Sequence, residues 1–260
     1  MKNKTTLLDK VNCLLRRIGA PKYLNKYGPK KYTLGEKVYA LFMKADCKSS
    51  FRRTAEKCSI SKSTLHYAFK KLPWNFIKNM LAATAAREAK LAAIDGTTFE
   101  RKSCGFHYLN RAGIDIKQRK NSKLSILINT RNKKILSARF RKNISHDIKD
   151  AKYLINNSVV KPEKIVADKG YDAEWFHKFL AEQEIKCCIP LRKNAVNGFY
   201  RKRSKVDLRS YRRRVMVESA FFKLKQLFGR SLNCITARNM RAEVFFRLIA
   251  YNLECLFKMI

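Results

Sequence analysis

Acidic residues are scarce in this chain of 260 residues. It has 20 Asp plus Glu against 58 Lys plus Arg, and its formal net charge is therefore +38. Such an excess excludes a generic metabolic enzyme and predicts a polyanionic partner: DNA, RNA or an anionic membrane surface. Composition alone does not choose among these three. Because 46% of the residues are apolar and 11% are aromatic, the chain can build a buried core, which excludes intrinsic disorder.

Long apolar runs are also missing. A spanning helix needs about 20 predominantly apolar residues, and the most apolar segment, 242–260, is interrupted by Glu243, Arg247, Glu254 and Lys258. The first ten residues are basic but no apolar stretch follows them, so we expect no secretory signal. These absences argue against a membrane partner and predict a cytoplasmic, nucleoid-associated protein.

The cysteine pattern argues against a zinc site. The eight cysteines are scattered, with no Cys-x2-Cys pair and no Cys/His spacing typical of zinc binding. We expect reduced thiols.

Residues 1–85 are predicted to form a small all-α domain that contains a helix-turn-helix. Thr33 is a plausible N-cap for one helix, and residues 51–58, 59–61 and 62–72 read as a helix, a short turn and a second helix. The second helix would present four DNA-contacting side chains, Lys62, Thr64, His66 and Lys70. The alternative is an ordinary helical hairpin.

Residues 86–260 alternate between strands and helices and predict an α/β domain on a mixed sheet flanked by helices. Three strands precede a helix, and two further strands follow, each separated by a helix. The short connection 131–134 predicts antiparallel pairing of the second and third strands, whereas strand-helix-strand connections predict parallel neighbours. A basic loop over about 97–122 is expected between the first two strands.

Three acidic residues stand out because acids are so few. Asp95 and Asp168 each end a short apolar run, and chemistry in open α/β sheets gathers at the carboxyl ends of strands. Glu218 lies in a predicted long helix over about 207–228. On a regular helix Tyr211, Arg214, Glu218 and Lys225 fall within about 60° of one another. Val215 and Phe222 flank this face, and we expect both to point inward.

Two aspartates and a glutamate supply only hard oxygen ligands, which suit Mg²⁺ or Mn²⁺ better than zinc. Two such ions can activate a water or a 3′-hydroxyl and stabilise the leaving oxygen of a phosphodiester. The charge excess and the carboxylates therefore both favour phosphoryl transfer on nucleic acid.

The motifs resemble those of the DDE transposases of bacterial and archaeal insertion sequences, in the branch marked by Tyr-x2-Arg-x3-Glu-x6-Lys. The four residues from Tyr211 to Lys225 match that spacing, while Ala-Ile-Asp95-Gly-Thr and Ala-Asp168-Lys-Gly-Tyr-Asp resemble the two aspartate boxes. The helix start Ser-His-Asp147 is also similar. The resemblance covers about residues 90–257.

This resemblance implies an RNase H-like fold and a transposase that binds the terminal inverted repeats of its own element, cuts the DNA and joins the 3′ ends to a target. Asp95, Asp168 and Glu218 would be catalytic ligands of two Mg²⁺ or Mn²⁺ ions. Tyr211, Arg214 and Lys225 would contact DNA near the scissile phosphate, although packing is the alternative for Tyr211. The expected partners are double-stranded DNA and further copies of the chain, in a homodimer or larger assembly, with no small-molecule substrate.

Two other functions stay open at this point. A domesticated, non-catalytic derivative would bind DNA through the helix-turn-helix and the basic surface alone. A structure-directed nuclease on the same fold would cut DNA without joining strands.

Overall fold

The computed structural model describes residues 6–27, 30–101, 121–193, 197–204 and 206–257. The predicted basic loop therefore lies largely outside the described residues. The strands on either side of it are longer than the sequence pattern indicated, because the first runs to Arg101 and the second begins at Asn121.

In the described stretches between residues 6 and 85, the structure has five helices: α1 (Leu7–Arg17), α2 (Leu34–Asp46), α3 (Phe51–Cys58), α4 (Lys62–Lys71) and α5 (Trp74–Thr84). Thr33 caps α2 as predicted, and its hydroxyl accepts a hydrogen bond from the backbone N of Glu36 at 3.2 Å. The Glu36 carboxylate accepts in return from the backbone N of Thr33 at 2.7 Å. This reciprocal pair satisfies two backbone donors at the start of the helix.

The predicted helix, turn and helix of residues 51–72 are present as α3 and α4. Ser59 makes the turn in a left-handed conformation, with φ at 53°, and Ser61 caps α4. Ile60 and Leu65 are buried together with Ala40, and Ala55 packs against this cluster. Small and apolar residues at these positions let the two helices approach closely, as a helix-turn-helix requires.

Among the described residues, six strands form one mixed sheet: β1 (Leu91–Arg101), β2 (Asn121–Asn129), β3 (Ile135–Arg141), β4 (Lys164–Val166), β5 (Lys186–Cys188) and β6 (Ser231–Leu232). The order is β3-β2-β1-β4-β5, and β6 pairs with the far end of β1. The β1–β2 and β2–β3 pairs are antiparallel, while the β1–β4 and β4–β5 pairs are parallel. The predicted pairings of the hairpin and of the strand-helix-strand units are confirmed.

Helices cover both faces of the sheet: α6 (Ile148–Asn156), α7 (Glu174–Glu182), the short α8 (Phe199–Arg203) and α9 (Leu208–Tyr211), then α10 (Val215–Phe228) and α11 (Ala237–Phe257). Side chains of β1 alternate between the two layers, since Ala92 and Ile94 pack with α6 and α7 while Ala93 packs with α10 and α11. Both faces of β1 are thus buried, as its apolar run requires.

The core on the α10 and α11 side also contains the amino-terminal helices. Phe42 of α2 and Phe246 of α11 have ring centroids 5.4 Å apart, and Trp74 of α5 lies 4.6 Å from Phe245. One buried cluster therefore joins residues on both sides of the predicted boundary at 85/86. The chain does change from helices to a strand at that point, and the division into domains 1–85 and 86–260 stays a prediction.

The predicted long helix over 207–228 is interrupted. A 3-10 turn (Arg212–Arg214) separates α9 from α10. Because a 3-10 turn advances about 120° per residue instead of about 100°, it rotates the residues before it relative to those after it. The single helical face that was predicted for residues 211–225 is therefore broken at its first member.

Candidate active site

Asp95 lies near the middle of β1, the central strand of the sheet. Three fully buried residues, Ala92–Ile94, precede it and fix the strand between its neighbours. The backbone N of Gly96 donates a hydrogen bond to Asp95 Oδ1 at 2.7 Å, and the side chain is 19% exposed. The carboxylate is thus held at the surface edge of a buried strand.

Asp168 reaches the same place from the neighbouring strand. Ala93 of β1 is in register with Val166 of β4 in a parallel pair, and each aspartate follows two residues after this registered pair. Asp168 caps a 3-10 turn (Lys169–Tyr171), and its Oδ1 accepts from the backbone N of Gly170 at 2.8 Å. The two predicted aspartates therefore lie side by side, Asp95 within β1 and Asp168 just after the end of β4.

The electrostatics show that these carboxylates act on each other. Burial, followed by the negative charges of Asp168 and Asp147, raises the pKa of Asp95 to about 6, against the opposing effects of the Gly96 N–H and the Arg214 guanidinium. Like charges in a poorly solvated place disfavour ionisation. The site is consequently one in which a cation would be bound favourably.

Arg214 connects Asp95 to Glu218. Its guanidinium donates to Asp95 Oδ2 at 3.4 Å and to Glu218 Oε1 at 2.5 Å. Burial opposes the charged form, but the carboxylates of Glu218 and Asp95 raise the pKa of Arg214 above its usual value. The arginine links Glu218 of α10 to Asp95 of the central strand, so the structure brings Glu218 to the strand pair that carries Asp95 and Asp168.

Lys225 is not beside the carboxylates. It lies seven residues beyond Glu218, about 10 Å along the helix, and its ammonium is 5.9 Å from the centroid of the Phe99 ring. Burial, with a contribution from Arg230, lowers the pKa of Lys225, while Glu100 acts in the opposite direction. Lys225 lines a cleft of about 560 Å³ between β1 and α10, together with Thr98, Glu100, Asn121, Phe221, Phe222, Gln226 and Arg230.

Two expectations about α10 are wrong. Val215 is 52% exposed and Phe222 is 67% exposed, so neither points inward. The buried face of α10 consists instead of Val217, Ala220, Phe221, Leu224 and Phe228. Glu218 follows directly after buried Val217 and has 50% of its side chain exposed, which places it at the border between core and solvent.

Tyr211 is half-buried and packs against the main core cluster. This position agrees with packing, the alternative that the sequence left open. A contact between Tyr211 and DNA stays a prediction.

A fourth carboxylate near the site, Asp147, was not among the predicted site residues. Its Oδ1 forms an ion pair of 2.6 Å with Lys123 of β2, a lysine whose side chain is 4% exposed. A Cβ on Gly96 would lie 2.3 Å from the same oxygen, so a larger residue at position 96 would displace the Asp147 side chain. The Ser-His-Asp147 motif and a lysine in an otherwise apolar strand were the available signals.

The predicted contacts of α4 are displayed on its outer surface. Lys62, His66 and Lys70 are exposed at intervals of four residues, and Thr64 is half-buried. Leu65, Ala68 and Phe69 are buried on the opposite side. The helix therefore presents a polar, basic face of the kind that can enter a major groove.

The sheet order, its flanking helices and the neighbouring carboxylates of β1 and the end of β4 define the RNase H-like class of fold. A sequence profile of the transposase DDE domain matches residues 87–253. The chain belongs to this family of transposase domains.

Among solved structures, the chain is similar in fold to the piggyBac transposase in its synaptic complex with hairpin DNA. The TM-score is 0.52 at 11% identity, with 96% of this chain and 71% of that chain covered. The Mos1 transposase in a paired-end complex with the left transposon end also matches, with 11% identity and 90% and 80% of the two chains covered. A pre-cleavage Mos1 transpososome matches at 10% identity over 98% and 88%. The TM-score of 0.26 for both Mos1 structures is too low to support an argument.

Comparison with functionally curated proteins finds no match. In the part of the chain that the structure describes, no helix is both long enough and apolar enough to span a membrane.

Proposed function

We propose that this protein is the transposase of an insertion sequence, which binds the terminal inverted repeats and catalyses metal-dependent DNA strand cleavage and strand transfer. The observation that carries the proposal is the convergence of Asp95 and Asp168 on adjacent parallel strands, with Glu218 linked to Asp95 through Arg214. A half-buried carboxylate whose pKa is raised by its surroundings, as that of Asp95 is, is typical of functional sites.

The donors fit a hard divalent cation chemically. All three carboxylates offer oxygen ligands. The raised pKa of Asp95 reflects first its burial and then the negative charges of Asp168 and Asp147, and a bound cation would offset both. Within the described ranges no three His, Cys, Asp or Glu side chains are close enough to hold a metal together, and Glu218 is paired with Arg214. We propose that Asp95, Asp168 and Glu218 hold two Mg²⁺ or Mn²⁺ ions, with Glu218 exchanging its arginine for the metal. Such ions activate the attacking oxygen and stabilise the leaving oxygen.

Arginine and lysine side chains of the chain would bind the DNA backbone. Arg214 offers a guanidinium that can pair with a phosphate at the carboxylates, and Lys225 and Arg230 line the adjoining cleft. The exposed face of α4 would bind the transposon end through Lys62, Thr64, His66 and Lys70. Tyr211 would contact DNA beside the site. We propose that the protein acts on nucleoid DNA in the cytoplasm, as a homodimer or larger assembly that pairs the two ends.

The test is cleavage of a duplex that carries the inverted repeat flanking the coding sequence, measured with and without Mg²⁺. Asp95→Ala, Asp168→Ala and Glu218→Gln should each abolish cutting and leave binding to the duplex intact. Asp46→Ala, at an exposed carboxylate on α2, is the matched control and should cut normally. If Asp95→Ala cuts as well as the wild type, the assigned site is wrong.

A second arm of the same experiment separates binding from chemistry. Lys62→Ala and Lys70→Ala should weaken binding to the transposon end but leave Mg²⁺-dependent cutting measurable at saturating protein. Glu218→Gln should do the reverse. Equal losses in both assays would contradict the separate roles of α4 in binding and Glu218 in cleavage. Cutting without any joined product would favour a nuclease.

A further inference from the structure

The segment between α1 and α2 has an unusual composition that the proposed site does not use. Residues 21–32 contain four lysines and three tyrosines but no aspartate or glutamate. The described residues, 21–27 and 30–32, form neither helix nor strand, and all four lysines are exposed. We call these described residues the Lys/Tyr arm. The lysines are Lys22, Lys26, Lys30 and Lys31.

Tyrosine rings organise the ammonium groups of the arm. Lys22 and Lys30 both lie over the ring of Tyr23, at 5.7 and 5.6 Å from its centroid. Cation–π contacts of this kind draw residues from both ends of the arm onto one ring. Tyr27 is 80% exposed, with the ammonium of Lys26 lying 5.6 Å from its ring centroid. The arm therefore concentrates positive charge and displays one aromatic hydroxyl to solvent.

One end of the arm is attached to the turn between α3 and α4, and the other end is attached to the start of α2. The hydroxyl of Tyr32 donates to the backbone carbonyl of Ser59 at 2.9 Å, and its ring packs against the cluster of Ile60 and Leu65. The backbone N of Leu34, the first residue of α2, donates to the carbonyl of Lys22 at 2.8 Å. Since Ser59 forms the turn directly before α4, the last residue of the arm lies beside the amino-terminal end of that helix.

We propose that the Lys/Tyr arm binds the phosphate backbone of DNA next to the major groove that α4 enters. In helix-turn-helix proteins the amino-terminal residues of the second helix contact base edges, so a segment anchored beside that end faces the phosphates along the border of the groove. Lysine ammonium and tyrosine hydroxyl groups are common phosphate ligands that fix position without reading sequence. The inference rests on the proposed function only in that α4 binds DNA.

The charge of the arm predicts a measurable salt dependence. Each phosphate neutralised by a lysine contributes about 0.9 to the slope of log binding constant against log salt concentration. Replacing all four arm lysines with glutamine should therefore make the slope shallower by about 3 to 4. The effect should be similar on a mixed-sequence duplex and on one carrying the inverted repeat, because phosphate contacts do not discriminate sequence.

A matched control removes the same charge elsewhere. Four exposed lysines lie away from the arm, on or near α6, α7 and β5. The control protein combines Lys152→Gln, Lys161→Gln, Lys178→Gln and Lys186→Gln. It has the same net charge as the arm variant, and its slope should stay close to that of the wild type. Thermal melting of both variants verifies that they are folded.

Hydroxyl-radical footprinting on the inverted-repeat duplex locates the contact. The arm variant should lose protection of the sugars that border the α4 footprint and keep protection within it. The inference is overturned if the arm variant keeps the wild-type salt dependence and footprint. It is also overturned if the salt dependence becomes equally shallow in both variants, because the effect would then come from net charge and not from the arm. Asp95→Ala should abolish cutting without changing the slope, so failure of the catalytic proposal is recognised separately.

Discussion

Replacing Asp95 with asparagine should stabilise the folded protein. The pKa of Asp95 rises from 3.8 to about 6 because its carboxylate is buried near Asp168 and Asp147. A shift of about two units corresponds to about 3 kcal/mol, at 1.36 kcal/mol per unit. Since the folded state binds this proton more tightly than the unfolded chain does, the free energy of unfolding falls as the pH rises from 3.8 to about 6 and stays lower above that range. Asparagine has the same shape but no charge to bury.

Urea denaturation in the absence of divalent ions measures the effect. We expect Asp95→Asn to raise the free energy of unfolding by about 3 kcal/mol at pH 8, and by close to zero near pH 4, where the wild-type carboxyl is protonated in the folded state. The corresponding increase in Tm at pH 8 is roughly 6–12 °C for a chain of this size. Asp46→Asn, the exposed control, should change neither value.

The same variant should lose its response to metal. Mg²⁺ that binds only the folded wild type raises its Tm with increasing concentration, and Asp95→Asn should show little of this increase while being unable to cut DNA. A variant that is equally stable or less stable than the wild type at pH 8 would refute the reasoning, because it would mean that ionised Asp95 costs the fold nothing.

Two further predictions concern buried side chains. Asp150 is fully buried, with its Oδ1 2.6 Å from the Nε of Arg141 and its Oδ2 2.8 Å from the Ser125 hydroxyl. Asp150→Asn should lower the free energy of unfolding in urea by about 3 kcal/mol, because it leaves buried polar groups unpaired. A loss below about 1 kcal/mol would contradict this prediction. Phe221→Ala should lower the free energy of unfolding by about 3–5 kcal/mol. The neighbouring variant Phe222→Ala should change it by less than about 0.5 kcal/mol. Equal losses would mean that Phe222 is not the exposed member of the pair.

Much of the fold could be predicted from the sequence because local patterns determine it. Apolar runs of strand length predicted the strands that became β1 to β5. The short connection at 131–134 predicted the antiparallel hairpin of β2 and β3. Asp95 and Asp168 could be placed together because each follows a short apolar run and the two strands pair in parallel, although β1 continues past Asp95 to Arg101. Thr33 was recognisable as a cap, since its partner Glu36 follows at the spacing of a capping box.

The remaining features depend on contacts between distant segments. The orientation of Phe222 could not be predicted, because adjacent Phe221 offered the helix an equally apolar face. A 3-10 turn before Val215 changed the helical phase without any proline or glycine to indicate it. Asp147 resembled an ordinary residue at a helix start, and its role beside Gly96 and Lys123 became visible only when three separate elements were brought together.

The shared core of α2, α5 and α11 has a consequence for how such a protein can evolve. Phe42 and Trp74 cover Phe246 and Phe245 of the last helix, so separating the chain near residue 85 would expose these aromatic side chains on both fragments. The part that would choose a DNA end and the part that would cut it are therefore inherited as one unit. New end specificity would have to arise by substitution on the surface of α4, because exchanging the first five helices for those of another protein would leave the final helix without its cover.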